Sequence, residues 1–215
     1  MKKKPDLNIL IIVMAAILVM GSSTLAVDVF TPPWRGQPGS TVQQWNFPTN
    51  DTTPSPDFVN NPYGAPLLKV NTPFSWIDDS QGNIQGVWPL SGEMDFYIPN
   101  RPEFGPEKEI WIQLAWMPGN LDPTPFLPDQ PIVGVTPFDS MQMTREDNLA
   151  INGWTHSLFK ITIWPNPNKE WITIKGDILV DQVVIDTICI PEPTTLLLLV
   201  TGGLIAKRYR KRTQV

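Results

Sequence analysis

Few residues of this sequence could carry catalysis, and their spacing decides how far each reading goes. His156 is the only histidine, so a three-histidine zinc site cannot be built and any Ser-His-Asp arrangement has to centre on it. Its neighbour Ser157 points to the opposite face of any strand that contains both, so the two cannot act together. Cys189, the single cysteine, alternates with Ile190 and reads as a small residue of a last strand rather than a reactive thiol, because no histidine stands near it. Glu93 and Asp95 share one strand face with a separation in the range that paired glycosidase carboxylates use, about 5 to 9 Å. That makes a secreted glycoside hydrolase, or another envelope enzyme, the alternative function. Asp177, Asp181 and Asp186 offer calcium-type oxygens without the spacing of an EF-hand loop, and they read as solvated acids at strand edges. No glycine-rich phosphate loop and no metal-finger spacing occurs. The expectation is a protein with no catalytic residue, no metal and no cofactor.

Nine tryptophans are the compositional clue to binding. Most belong in a core, since burying a large aromatic side chain stabilises by several kcal/mol, roughly 3 to 5 by truncation. Trp111, however, lies on the face opposite Ile110, Ile112 and Leu114. Trp164 lies opposite Ile161 and Ile163, and Trp171 opposite Ile172 and Ile174. The spacing predicts that these three share a second surface, an aromatic platform of the kind that stacks on sugar rings.

The elements that must position these residues are strands. Residues 87–90, 94–98 and 110–116 alternate or run apolar between turn signals, and Pro118-Gly119 ends the third. A proline-rich connection leads to a short strand at 132–135. Residues 141–149, with Thr144, Arg145, Glu146 and Asp147, are the one candidate for a helical turn. Residues 158–164 alternate, Pro165-Asn166-Pro167-Asn168 turns the chain, and 171–175 alternate again, which predicts a hairpin. Residues 178–190 supply one long or two broken strands. The pattern predicts an all-β fold, an antiparallel β-sandwich of jelly-roll-like type. Residues 27–70, rich in Pro, Asn, Thr and isolated aromatics, read as an irregular segment with short edge strands packed on a sandwich domain at 71–190. The ending 176–187, with its stretch 180–186, resembles the last strand of jelly-roll carbohydrate-binding modules.

Charge narrows the partners. Of sixteen Lys and Arg, three precede residue 27 and five follow residue 190; of twenty-one acids, only Asp6 and Glu192 lie outside 27–190, so that body carries about −11. A surface of that sign repels phosphate backbones and anionic lipids, which disfavours nucleic acid and leaves neutral glycans acceptable. With one cysteine, no internal disulfide forms.

The two ends read as processing signals. Lys2, Lys3 and Lys4 precede the uncharged apolar stretch 9–20, and Thr24 and Ala26 offer the small residues that a signal peptidase reads, so 1–26 reads as a signal peptide. At the other end stand Pro191, Glu192 and Pro193, an uncharged segment 194–206, and a basic cluster of Lys207, Arg208, Arg210, Lys211 and Arg212. Thirteen helical residues at about 1.5 Å each fall short of a hydrocarbon core of about 30 Å. Terminal apolar helices are therefore expected, too short for a lasting anchor. The cations stay on the cytoplasmic side by the positive-inside rule, leaving the body outside.

In this order of motifs, residues 191–212 resemble the PEP-CTERM sorting signal of exopolysaccharide-producing bacteria. The resemblance implies recognition by exosortase, a membrane cysteine peptidase, transient attachment to the inner membrane and delivery to the cell surface or extracellular matrix. The resulting expectation is an exported, non-enzymatic β-sandwich protein of the envelope or exopolysaccharide matrix. Its partners are signal peptidase and exosortase during processing, the membrane through its C-terminal segment, and extracellular polysaccharide.

Overall fold

The computed structural model describes residues 29–78, 86–101, 107–121, 127–149 and 154–190. The signal peptide, the sorting motif and the terminal helices expected from sequence lie outside these residues. Among the described residues there are nine antiparallel strands: β1 Ser40–Trp45, β2 Phe58–Asn60, β3 Leu67–Asn71, β4 Trp88–Pro99, β5 Glu107–Pro118, β6 Ile132–Thr136, β7 Ser140–Leu149, β8 Thr155–Trp164 and β9 Lys169–Ile190. No helix occurs among the described residues.

The strands form two layers that share β9. Its C-terminal half lies between β1 and β5, giving the layer β2-β1-β9-β5-β8-β7. Its N-terminal half lies between β4 and β6, giving the layer β3-β4-β9-β6. Both layers send side chains into one apolar core: Ile110, Ile112, Leu114, Phe159 and Ile161 from the first, Met94, Phe96, Ile98, Val135, Ile172 and Ile174 from the second. The chain is thus an all-β antiparallel sandwich.

A register shift opposite Ala115 and Trp116 leaves Asp181 as an extra residue on β9. One inserted residue moves every later side chain to the other face. The core row of β9 changes accordingly from Ile172, Ile174, Ile178 and Val180 to Val183 and Ile185. The bulge lets one strand serve two layers without turning its apolar face to water.

Three expectations are corrected. Residues 141–149 are not a helical turn but most of strand β7, paired along its length with β8. As an outer strand β7 is mostly exposed, so its sequence lacks the apolar alternation of the inner strands. Residues 158–164 and 171–175 do not form a hairpin: β8 is flanked by β5 and β7, and that part of β9 by β4 and β6, so 165–168 carry the chain across from one layer to the other. Within 27–70, β1 is an inner strand between β2 and β9 rather than an edge.

Gly92 faces Gly176 across β4 and β9, and a Cβ on Gly92 would lie 2.2 Å from the Asn71 carbonyl oxygen. Backbone held in a strand pair cannot retreat, so Gly92→Ala should cost about 1 to 3 kcal/mol. A Cβ on Gly134 in β6 meets nothing within 4 Å, and Gly134→Ala should be neutral or slightly stabilising. Urea unfolding of the two variants checks the contrast.

Candidate functional site

The outer face of the β3-β4-β9-β6 layer carries the exposed aromatic surface. Leu67, Tyr97, Trp171 and Thr136 stand opposite one another across four strands. Trp171 is 46 % exposed, and its ring lies 5.0 Å from that of Tyr97, tilted by 57°. Lys169 Nζ sits 5.8 Å from the Tyr97 ring centre, near enough to steady it as a cation over a π-face. Alternation explains the display: Lys169, Trp171, Thr173 and Lys175 point out while Glu170, Ile172 and Ile174 point in. On this outer face the side chains present apolar rings flanked by charges and hydroxyls.

Trp111 and Trp164 are elsewhere. Both lie on the outer face of the other layer, because β8 crosses over to β9 instead of pairing with it. The single platform of three tryptophans expected from sequence is therefore corrected to two separate surfaces. Trp111 is half-buried, edge-on to Trp34 at 6.1 Å, with Lys160 Nζ 4.8 Å from its ring centre and its indole N–H donating to Glu109 Oε1 at 2.5 Å. Trp164 is also half-buried and donates to Glu107 at 3.3 Å. Residues 30–35 cover part of this face. The Phe30 backbone exchanges hydrogen bonds with the Gln113 carboxamide, and Arg35 grips the buried Asp186 carboxylate through two contacts of 2.6 Å. Burial raises the Asp186 carboxyl above its ordinary range, with Arg35 pulling the other way.

The remaining candidates are also placed. Asp177 and Asp186 are buried, not solvated, which corrects that expectation; Asp177 accepts from the Leu121 backbone N–H at 3.2 Å. Among the described residues no group of three or more His, Cys, Asp or Glu could hold a metal ion. Glu93 pairs with Lys175 at 2.8 Å, and Asp95 accepts from Asn71 and from the Thr173 hydroxyl. The two acids stand side by side on the open face rather than across a groove. An open depression between residues 55 and 67, lined by Pro56, Val59, Asn61 and Leu67 among others, contains no ionisable side chain. Ser157 is buried, accepting from the Trp116 indole at 2.8 Å and donating to Asp147, while His156 on the opposite face is half-buried.

One cluster was missed from sequence. At one end of the core Lys108 and Glu170 are fully buried, with Nζ 2.6 Å from Oε1. Lys108 also donates to Asn100 Oδ1, and Asn100 Nδ2 donates to Glu170 Oε2 at 2.8 Å, to Asn166 Oδ1 at 3.0 Å and to the Pro167 carbonyl at 2.6 Å. Asn166 Nδ2 contacts Cys189 Sγ at 3.3 Å. Burial pushes the Glu170 carboxyl up, opposed by Lys108; it pushes the Cys189 thiol up as well, again opposed by Lys108. The signal was available: Lys108 is in phase with Ile110 and Ile112, and Glu170 with Ile172 and Ile174, so each charge sits on a core-facing row.

Compared with protein-family models, with curated proteins and with solved structures, the chain matches none.

Burial lowers the His156 pKa from 6.5. The unfolded chain then takes up the proton first as pH falls, so this contribution is complete above about pH 6.5 and is lost as pH drops from there toward the folded value. Unfolding midpoints between pH 5 and 7 should fall on acidification, and His156→Gln should remove that part of the slope.

Proposed function

We propose that this chain is an exported, non-enzymatic component of the cell envelope or exopolysaccharide matrix, sorted by a PEP-CTERM-type tail, whose sandwich meets neutral glycan through the Tyr97–Trp171 face. The observation that carries the glycan reading is a tryptophan ring left half exposed on the outer face of a sheet and braced by a second aromatic. A pyranose ring offers C–H groups on one face and hydroxyls at its rim, and a half-exposed indole beside Thr136 and Thr173 suits both. The acidic body favours neutral over anionic polymers. The sorting part rests on the order Pro191-Glu192-Pro193, apolar segment, basic cluster.

Two experiments test the two parts. In affinity electrophoresis of the full chain against neutral polysaccharides, Trp171→Ala should weaken binding roughly tenfold, about 1.4 kcal/mol, while Trp111→Ala leaves it unchanged. Equal retention of Trp171→Ala and wild type, or no retention of wild type by any glycan, contradicts the platform. In an exosortase-bearing host, Glu192→Ala should keep the full-length chain in the membrane fraction while wild type is processed. Indistinguishable fractionation of the two contradicts the sorting reading.

A further inference from the structure

Lys108, Asn100 and Glu170 bring a primary amine, a carboxamide and a carboxyl group together at the end of the core. Lys108 and Glu170 have no solvent exposure, and Asn100 is buried. The carboxamide's orientation is fixed by its surroundings. Its nitrogen points at three acceptors, Glu170 Oε2, Asn166 Oδ1 and the Pro167 carbonyl, while its oxygen receives the Lys108 amine and, at 3.8 Å, the Cys189 thiol. Lys108 Nζ, in hydrogen-bond contact with Oδ1, is one C=O bond removed from the Asn100 Cγ carbon. The two oxygens of Glu170 face the two nitrogens separately, Oε1 toward Nζ at 2.6 Å and Oε2 toward Nδ2 at 2.8 Å. The carboxamide thus meets both partners of the ion pair at once, its oxygen against the amine and its nitrogen against the carboxylate.

We propose that this cluster is a modification site at which Lys108 and Asn100 condense into an intramolecular amide cross-link, with Glu170 as the proton carrier. The Lys108 ammonium gives one proton to the Glu170 carboxylate, leaving a neutral amine and a neutral acid. The amine lone pair forms the Nζ–Cγ bond as the carbonyl electron pair moves onto Oδ1, beside the Cys189 S–H. Nζ then loses a second proton and Nδ2 gains one, both through the Glu170 carboxyl. The carbonyl re-forms, the Cγ–Nδ2 bond breaks and ammonia leaves. Of the two protons lost from Nζ, one departs in the ammonia and one remains on Glu170; nothing is oxidised or reduced.

The surroundings favour these states. Burial raises the Glu170 carboxyl against the opposing pull of Lys108, which favours the neutral acid, and burial keeps the Cys189 thiol protonated and able to donate to the developing oxyanion. The attacking amine and the carboxamide it attacks are held in contact at a site with no solvent exposure, which removes most of the entropic barrier to a bimolecular step. The product ties the exit of β4, in one layer, to the start of β5, in the other. It gives a chain without disulfides a covalent rivet between its layers.

Mass spectrometry of the purified, denatured full chain tests the proposal. The expected result is a mass one ammonia below that of the sequence between its observed termini, and a branched proteolytic peptide in which Asn100 is joined to Lys108. Lys108→Arg and Glu170→Gln should each restore the full mass and give only linear peptides. Wild type at full mass overturns the proposal whether or not the variants fold. A deficit that persists in Lys108→Arg overturns it too, since the ammonia must then leave from another site.

Discussion

The fold depends on one strand serving two layers. β9 runs 22 residues, and both of its edges are paired along most of that length, with β4 and β6 in one half and β1 and β5 in the other. Its inward residues belong to a single cluster that spans both layers. The Asp181 bulge is the device that reconciles these roles, because unbroken alternation through Asp181 would present Val184 and Asp186 to the core in place of Val183 and Ile185. Removing either half of β9 would split its layer, leaving β1-β2 apart from β5-β8-β7 or β3-β4 apart from β6, and the single core cluster gives neither layer an interior of its own.

Along most of this sandwich the interior is filled by Ile, Val, Leu and Phe, but one end is polar. There Lys108, Glu170, Asn100, Asn166 and Cys189 form a connected network, and Thr41 and Thr187 share a hydroxyl contact of 2.9 Å nearby. Withdrawing two charges from water costs several kcal/mol each, and their attraction offsets this only when the remaining polar atoms are also bonded. Asn100 supplies those bonds, which links the polar end to the β4–β5 connection as well as to β9. Replacing a buried ion pair by well-packed apolar residues of similar volume is often neutral or stabilising. Glu170 Oε1 has the Lys108 amine 2.6 Å away but no hydrogen bond to complete its shell, and this amine, carboxyl and carboxamide are the groups on which the proposed cross-link rests.

What was legible in the sequence followed from periodicity. The alternation of 110–116, 158–164 and 171–175 located β5, β8 and the first half of β9, and the all-β class with them. Strand β7 was hidden because Met143, Thr144 and Glu146 face water, and an edge strand held by neighbours needs no apolar stripe. Pro165-Asn166-Pro167-Asn168 announced a turn, but a turn does not state which layer receives the chain. That ambiguity misplaced Trp164 beside Trp171. Trp171 itself was assigned correctly to an outward row. Lys108 and Glu170 were passed over because a charge at a strand end is ordinarily solvated, although their phase with Ile110 and Ile172 placed them inside. Tyr97 was missed as a brace for Trp171 because cross-strand neighbours are set by register, which one strand's sequence does not carry.

If β9 makes one cooperative unit of two layers, the layers cannot open separately. Native-state hydrogen exchange measures this most directly, through the amides of 172–174 in one layer and 183–185 in the other. The account predicts that both sets exchange with one common free energy, equal to that of global unfolding. Protection of one set at a markedly lower free energy than the other would contradict it.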